Sequence, residues 1–325
     1  MRALVTGAAG FVGSHLCTQL LEQGNDVVGI DAITDFYDVR RKEANLASLT
    51  AWDSFTFRRL DLLNAPLRQL LDGVEVVFHL AGQPSVRASW GPEFAVYVDR
   101  NILATQRLLE ASCQTPVRKI VYASSSSVYG DAEGYPTAEA MRPRPISPYG
   151  VTKLAAEHLC ECYRANFGTP TVSLRLFTVY GPGQRPDMAF SRLIRAALAF
   201  RPFPLFGDGS QTRDFTFVGD VVRAMSAAAD SSWSGVANIG GGSRTSMAEI
   251  IRTVGALLGR EVETVRRPAQ PGDVRDTAAD ITVARHAFGY APTVPLADGL
   301  ARMLGAEMAL VPRRTLTGVG KHGVA

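Results

Sequence analysis

The chain has 325 residues, of which 46% are hydrophobic and 20% charged, enough apolar material for one or two lobes with a full core. Basic and acidic residues number 34 and 31 and are spread along the chain, so the net charge of +3 does not favour a nucleic-acid partner. Four cysteines without a CxxC pair and five scattered histidines predict neither a disulfide framework nor a metal site.

The sequence also argues against a membrane partner. No apolar run approaches the length of about 20 residues that a membrane span requires. A buried-strand pattern occupies the first residues and leaves no room for a signal peptide. We therefore expect a cytoplasmic protein.

The first half of the chain alternates short β-branched runs with stretches of helical periodicity. The β-branched runs predict strands at residues 3–6, 26–30, 55–60, 74–80, 119–123 and 171–176. Between the first two of these, Val12, Leu16 and Leu20 recur at helical spacing. This alternation predicts an α/β fold with a doubly wound parallel sheet of the Rossmann type, in which ligands bind at the carboxyl ends of the strands.

The pattern loosens after residue 176 and regains a strand, helix, strand rhythm between residues 215 and 240. We therefore predict that residues 1–176 and 215–240 form the doubly wound domain. Residues 177–214 and 241–310 are expected to form a smaller, discontinuous C-terminal domain that binds the substrate. Residues 311–325 are rich in Arg, Gly and Thr without apolar periodicity, which predicts a mobile tail.

A glycine-rich turn, TGAAGFVG, follows the first predicted strand and places Gly7, Gly10 and Gly13 at the start of a helix. Such a turn lets the backbone touch a pyrophosphate, and the helix N-terminus offers free amides to the phosphates. Asp31 ends the second predicted strand, 18 residues after Gly13. A carboxylate there accepts hydrogen bonds from both adenosine ribose hydroxyls and repels a 2′-phosphate, so NAD is predicted rather than NADP.

Alternatives exist for these acidic residues. Asp31 could instead cap a helix or form a turn, and Arg40 and Arg41 lie close enough in sequence to keep NADP open. Asp61, after the third predicted strand, could reach the adenine amino group or serve an ordinary turn.

Ser147 and Pro148 predict a helix start, which places Tyr149 and Lys153 one turn apart on the same face. The chain contains nine tyrosines, and this is its one Tyr-x-x-x-Lys pattern. A tyrosine acts as a base at neutral pH when its pKa falls by about three units from its reference value, and a neighbouring ammonium favours the phenolate. We therefore expect Lys153 to lower the pKa of Tyr149.

Four consecutive serines, residues 124–127, follow the fifth predicted strand in the motif SSSSVYG. As a bare pattern, a serine run is typical of a loop. At the carboxyl end of a strand beside the predicted nicotinamide site, its hydroxyls can orient an alcohol or a carboxylate.

Four motifs resemble the extended short-chain dehydrogenase/reductase family, in the same order and over residues 1–310: TGAAGFVG, HLAG at residues 79–82, SSSSVYG, and YGVTK at residues 149–153. The resemblance implies a hydride-transfer enzyme that acts on nucleotide sugars, with Ser125, Tyr149 and Lys153 as catalytic residues. The residues that we expect to bind NAD are Gly7, Gly10, Phe11, Val12, Gly13, Asp31, Asp61, Leu62, Leu80, Ala81, Gly82, Tyr149 and Lys153.

Two further segments, DAITDFYDVRRKEA at residues 31–44 and LFTVYGPGQRPDMAF at residues 176–190, look most like the UDP-glucuronate 4-epimerases of that family. Gly82 departs from the alanine that is more usual there. The resemblance implies that Arg213 and Arg275 bind the diphosphate and that residues 188–192 and Phe206 border the uracil, although each arginine alone could form a surface ion pair. The expected substrate-binding residues are Arg87, Ser125, Ser126, Ser127, Tyr149, Thr178, Arg185, Met188, Ala189, Phe190, Arg192, Phe206, Arg213 and Arg275.

The expected reaction is NAD-dependent inversion at carbon 4 of UDP-glucuronate to UDP-galacturonate, through a transient 4-keto sugar and without decarboxylation. The alternatives are a 4-epimerase of UDP-glucose or UDP-N-acetylglucosamine, a UDP-glucuronate decarboxylase and, outside enzymes, an NAD-sensing regulator. Related decarboxylases and dehydratases have an acidic residue where Ser126 and Ser127 stand, which argues against both. Family resemblance also suggests a homodimer that pairs helices near residues 92–113 and 148–167.

Overall fold

The computed structural model of the protein describes residues 1–268 and 272–310. Twelve β-strands lie in this part of the chain: β1 (Arg2–Thr6), β2 (Asp26–Asp31), β3 (Phe55–Arg59), β4 (Val76–His79), β5 (Lys119–Ser125), β6 (Thr171–Leu176), β7 (Thr178–Tyr180), β8 (Phe203–Phe206), β9 (Thr212–Phe217), β10 (Gly235–Ile239), β11 (Arg244–Ser246) and β12 (Thr264–Arg267). The same residues form eleven α-helices: α1 (Phe11–Glu22), α2 (Val39–Leu49), α3 (Leu67–Leu71), α4 (Phe94–Tyr97), α5 (Ala104–Gln114), α6 (Pro148–Phe167), α7 (Ala189–Leu198), α8 (Val218–Asp230), α9 (Met247–Leu258), α10 (Thr282–Phe288) and α11 (Leu296–Leu310). A π-helical segment, Val98–Leu103, joins α4 to α5.

A seven-stranded parallel sheet in the order β10-β6-β5-β4-β1-β2-β3 forms the centre of the molecule. The six strands predicted in the first half of the chain all belong to it, and their ends lie within two residues of the predicted ones. Residues 76–79 and most of β5 are buried, as expected for strands covered on both faces. The prediction of a doubly wound Rossmann-type sheet is confirmed.

Helices cover both faces of this sheet because each of them has an apolar stripe to bury. On one face, Leu16 and Leu20 of α1 and Met225 of α8 belong to one core cluster. On the other, Leu108 of α5 and Ala156 of α6 belong to a second cluster. The helices thereby fix the carboxyl ends of the strands along one edge, where the crossover connections begin.

The strand order reverses direction at β1, which lies between β4 and β2. In sheets of this kind, a crevice opens outside the carboxyl ends of the strands at the reversal point. The segments that follow β1, β2, β3 and β4 therefore border one cleft.

The remaining strands form two small sheets, one in the order β11-β9-β7 and one of β12 with β8. Residues 215–240 are expected to rejoin the large sheet. The structure has this for β10, which follows α8 in the chain and pairs with β6. The strand at the start of that segment differs: β9 pairs with β7 and β11 instead. The domain boundaries themselves stay predictions.

The predicted tail, residues 311–325, lies outside the described residues. Across residues 1–268 and 272–310, no helix combines the length and the apolar composition needed to cross a bilayer.

Candidate active site

The glycine-rich turn after β1 is built so that backbone segments meet closely. Gly7 has a φ of 73°, and a Cβ atom there would lie 2.9 Å from the Ala81 nitrogen. A Cβ atom at Gly13 would lie 2.1 Å from the Gly7 carbonyl oxygen. Side chains are therefore excluded at both positions. Gly10 precedes α1 without a side-chain cap, which leaves amides of the first helical turn available to a ligand.

A cleft opens at this turn. The structure brings together on its wall eleven of the thirteen residues predicted to bind the cofactor, all except Tyr149 and Lys153: Gly7, Gly10, Phe11, Val12, Gly13, Asp31, Asp61, Leu62, Leu80, Ala81 and Gly82. Arg185, an expected substrate residue, also lines this cleft, which is called the dinucleotide cleft below.

Asp31 lies at the end of β2 with its carboxylate already oriented by the chain. It accepts hydrogen bonds from the Ile33 amide at 2.8 Å and the Ala9 amide at 3.3 Å. The buried ammonium of Lys42 lies 3.6 Å from the same carboxylate. Sequence reasoning missed Lys42, although the basic run at residues 40–42 contains it.

The two arginines that had kept NADP open are engaged elsewhere. Arg40 forms an exposed ion pair with Asp38 at 2.6 Å. Arg41 lies 3.5 Å from the buried carboxylate of Glu307 on α11. Neither is among the residues that line the cleft. Asp61 does line it and also accepts a hydrogen bond from the Leu63 amide at 3.0 Å, so it serves a turn as well.

Helix α6 begins where the sequence predicted. The Ser147 hydroxyl accepts a hydrogen bond from the Gly150 amide at 3.1 Å, and Pro148 is the first helical residue. Tyr149 and Lys153 follow one turn apart, and Ser125 at the end of β5 donates a hydrogen bond to the Ser127 hydroxyl at 3.1 Å.

Lys153 is almost completely buried. Its ammonium donates a hydrogen bond to the Ala123 carbonyl at 2.8 Å and lies 4.9 Å from the centre of the Tyr122 ring. Burial lowers the pKa of Lys153 to about 8, although the charge of Glu157 acts in the opposite direction. A Cβ atom at Gly82 would lie 3.6 Å from this ammonium, which places Lys153 beside the wall of the dinucleotide cleft.

The expected acidification of Tyr149 by Lys153 is not found in the protein alone. Burial raises the pKa of Tyr149, whereas a hydrogen bond with Ser125 and the charge of Arg185 act to lower it. The physical reason is that the phenolate loses more hydration than these neighbours restore. Further positive charge, beyond that of the chain itself, is needed before the phenol becomes acidic.

A buried polar network supports these residues from behind. Glu157, one turn beyond Lys153, accepts hydrogen bonds from Arg175 at 2.8 and 3.0 Å and another from the Ser124 hydroxyl. Arg175 also donates to the Tyr129 hydroxyl at 2.8 Å. Sequence reasoning missed this network, although the spacing of Glu157 from Lys153 and the position of Arg175 in a buried strand were visible signals.

Two adjoining cavities lie on the other side of the serine run. The arginine cavity is lined by seven of the predicted substrate residues: Arg87, Thr178, Met188, Ala189, Arg192, Phe206 and Arg213. The hydroxyl cavity is lined by Ser126, Ser127, Thr178 and Arg213, among others. Thr178 and Arg213 line both cavities, so the two adjoin.

Several arginines here already have partners. Arg87 forms an ion pair with Asp273 at 2.5 Å and lies 4.4 Å from the centre of the Phe206 ring. Arg213 donates to the carbonyls of residues 274 and 275, and burial lowers its pKa. Arg185 forms an ion pair with Asp187 at 2.9 Å.

Five predicted substrate residues do not line the two cavities: Ser125, Tyr149, Arg185, Phe190 and Arg275. Two of them do not fit the expected role. Phe190 is 1% exposed, and its ring packs 4.5 Å from that of Phe215 and 5.3 Å from that of Tyr180, so it belongs to the core. The side chain of Arg275 is 83% exposed and lies 3.9 Å from Asp276. Within residues 1–268 and 272–310, no group of three His, Cys, Asp or Glu side chains could hold a metal ion.

Comparison with known protein families gives a match over residues 3–240 to the NAD dependent epimerase/dehydratase family. The chain belongs to this family. The UDP-glucuronic acid 4-epimerase of Bacillus cereus, solved in complex with UDP-glucuronic acid and NAD, is 46% identical, with a TM-score of 0.93 over 96% of this chain and 100% of that one.

Two curated relatives carry a different substrate in their names. An uncharacterised UDP-glucose epimerase of Bacillus subtilis is 45% identical over 92% of this chain and 96% of its own length. The UDP-glucose 4-epimerase of Mycolicibacterium smegmatis is 40% identical over 93% of this chain and 97% of its own length.

Membership of the NAD dependent epimerase/dehydratase family agrees with the chemistry of the dinucleotide cleft. The uncapped N-terminus of α1 suits a pyrophosphate, and Asp31 at the end of β2 suits a ribose diol. The residues that line the cleft therefore fit NAD.

Proposed function

We propose that this protein is an NAD-dependent 4-epimerase of UDP-glucuronate that forms UDP-galacturonate. The observation that carries the proposal is a chain of contacts from the dinucleotide cleft to the hydroxyl cavity. Lys153 lies beside Gly82 of the cleft, and Ser125 is hydrogen-bonded both to Tyr149 and to Ser127 of the hydroxyl cavity. The likeness to the Bacillus cereus enzyme, at 46% identity over almost the whole chain, supports the same substrate.

Tyr149 takes the proton from the 4-hydroxyl of the sugar, and Ser125 orients that hydroxyl. NAD, when bound, would supply a hydride acceptor and then a hydride donor for carbon 4 of the sugar. Lys153 would hold the cofactor ribose, and the positive charge of the nicotinamide would offset the burial that raises the pKa of Tyr149. The 4-keto sugar then turns its opposite face toward the cofactor while its diphosphate stays anchored, so that carbon 4 would regain its hydride on that face. Tyr149 returns the proton to the 4-oxygen, which completes the inversion.

The keto intermediate is a β-keto acid, which loses carbon dioxide when its carboxylate turns perpendicular to the ketone. Ser126, Ser127 and Thr178 line the hydroxyl cavity together, and we assign them to hold that carboxylate. Hydrogen bonds to a charged acceptor are each worth about 1.5–3 kcal/mol, enough to restrict its rotation. Arg213, which lines both cavities, is assigned to the diphosphate, and Met188, Arg192 and Phe206 to the uracil.

A 4-epimerase of UDP-glucose is the second candidate, because two relatives at 45% and 40% identity carry that substrate in their names. Separate incubations with UDP-glucuronate and UDP-glucose, followed by analysis of the sugars, distinguish the two. We expect the kcat/KM for UDP-glucuronate to exceed that for UDP-glucose, with UDP-galacturonate as the product and no pentose. Tyr149→Phe is expected to lose activity on both substrates. Inversion of UDP-glucose alone would contradict the proposal, and a pentose product would indicate a decarboxylase.

A homodimer forms a further part of the proposal. Leu103, Val151 and Phe167 are 45%, 46% and 66% exposed on the α5 and α6 side of the sheet, where a second copy would cover them. Light scattering after gel filtration tests this, since the proposal requires a mass near twice 35.0 kDa. The cytoplasmic location and the absence of a nucleic-acid partner stay predictions.

A further inference from the structure

Arg100 contributes to the wall of the dinucleotide cleft, yet neither the motifs nor the expected chemistry assigned it a role. It lies in the π-helical segment Val98–Leu103, directly before the buried Asn101. π-Helical turns are rare and occur frequently at functional sites. The π-helical segment turns Arg100 toward the cleft, although the neighbouring residues Asp99 and Leu103 are exposed.

The charges in the cleft single out this guanidinium. Lys42 lies 3.6 Å from Asp31, and Arg185 lies 2.9 Å from Asp187. Arg100 has no carboxylate within ion-pair distance in residues 1–268 and 272–310, and its one hydrogen bond goes to the Gln83 side chain at 2.8 Å. Four of its five N–H groups are therefore left for another acceptor.

The segment after β4 holds the arginine in place. Gln83 is buried. Its backbone amide donates to the Asn101 side-chain oxygen at 2.6 Å, and its backbone carbonyl accepts from the Asn101 side-chain nitrogen at 3.1 Å. Gln83 is thus fixed through its backbone, and its side-chain oxygen fixes Arg100. A guanidinium held in this way retains its planar fork for an anion.

The position along the cleft identifies the anion. Residues 80–84 follow β4, which neighbours β1 at the reversal point of the sheet, so they face the glycine turn and the N-terminus of α1. The adenosine end of the cleft lies toward β2 and β3, and the nicotinamide end lies toward β5. Only the pyrophosphate occupies the middle.

We propose that Arg100 binds the pyrophosphate of the bound dinucleotide, opposite the amides of α1. The proposal rests on the proposed function only in taking NAD as the ligand of the cleft. Arg100 and the helix N-terminus then share the two negative charges of the pyrophosphate, and Gln83 acts as the positioning residue for Arg100.

The test is the rate at which the holoenzyme, loaded with isotopically labelled NAD, releases label into excess unlabelled NAD. Loss of a charge-assisted hydrogen bond predicts release about 10- to 100-fold faster for Arg100→Gln, with Arg100→Lys between that variant and the wild type. Arg142→Gln is the matched control, because Arg142 is exposed, has no carboxylate partner in the described residues and does not line the cleft.

Competition by fragments locates the lost contact. NAD and ADP-ribose share the pyrophosphate, so we expect ADP-ribose to compete with label equally well in Arg100→Gln and the wild type. Adenosine lacks the pyrophosphate and is expected to compete about 10- to 100-fold better in Arg100→Gln, where only the binding of NAD is weakened. Release at the wild-type rate, or adenosine that competes no better in the variant than in the wild type, would overturn the inference. If the wild type retains NAD but does not invert UDP-glucuronate, the proposed function is refuted. The release of labelled NAD still tests the role of Arg100 in that case.

Discussion

Gly82 departs from the usual alanine of its motif, and its surroundings give a physical reason. A Cβ atom there would lie 2.7 Å from the Asn101 side-chain oxygen. The Asn101 side chain is fixed by hydrogen bonds with the Gln83 amide and the Thr152 hydroxyl. Gly82→Ala is therefore expected to displace Asn101 and to lower the free energy of unfolding by about 1–2 kcal/mol. Denaturant titration measures this change, together with the NAD content of the purified variant.

Gly305→Ala is the matched control for that variant. Gly305 lies in α11 with nothing within 4 Å of an added Cβ atom, so its replacement is expected to stabilise the protein by about 0.5–1 kcal/mol. Equal free energies of unfolding for Gly82→Ala and the wild type would contradict the prediction, because they would show that Asn101 can move without loss of stability.

The buried ammonium of Lys153 predicts how the rate depends on pH. Burial lowers the pKa of Lys153 to about 8, so its positive charge is present below that pH and is lost as the pH rises through it. Lys153 then loses the charge with which it would hold the cofactor ribose, and kcat for UDP-glucuronate is expected to fall above about pH 8. A rate that stays constant to pH 10, in protein shown by circular dichroism to remain folded, would contradict this role.

At the scale of elements, one buried ion pair ties α6 to β6 and so positions the catalytic face of the helix. Glu157 and Arg175 are 4% and 5% exposed and lie 2.8 Å apart. Removing one charge leaves the other buried and uncompensated, so Glu157→Gln is expected to cost about 3–5 kcal/mol of unfolding free energy. Denaturant titration at saturating NAD measures this loss.

The same helix offers a matched control for that prediction. Glu161 and Arg164 form an exposed ion pair at 2.5 Å, so Glu161→Gln is expected to change stability by less than about 1 kcal/mol. Joint replacement of Glu157 and Arg175 by apolar residues of similar volume should recover most of the lost stability. Equal effects of Glu157→Gln and Glu161→Gln would show that the buried pair does not anchor α6.

At the scale of the whole molecule, what could be predicted followed from local rules. The six strands, the glycine turn and the Ser147 cap depend on neighbours in sequence, and the structure has them within two residues of the predicted positions. Lys42, Arg100 and the Glu157–Arg175 pair depend on contacts between distant segments, which no periodicity encodes.

Side-chain direction explains the misplaced residues on the substrate side. Phe190 sits in the expected motif, but the start of α7 turns its ring into the core between Tyr180 and Phe215. Arg275 precedes Asp276, which pairs with Arg244 at 2.9 Å, and its own side chain extends into solvent. A motif fixes where a residue lies in the chain, whereas packing decides which way it faces.

The most direct test of the central claim is the number of products formed per bound NAD by the purified holoenzyme with UDP-glucuronate and no added cofactor. An epimerase returns its cofactor to the starting state in every cycle, so at a typical turnover of about 10 s⁻¹ each subunit should form hundreds of UDP-galacturonate molecules within a minute. Product formation that stops at one molecule per bound NAD would contradict the claim.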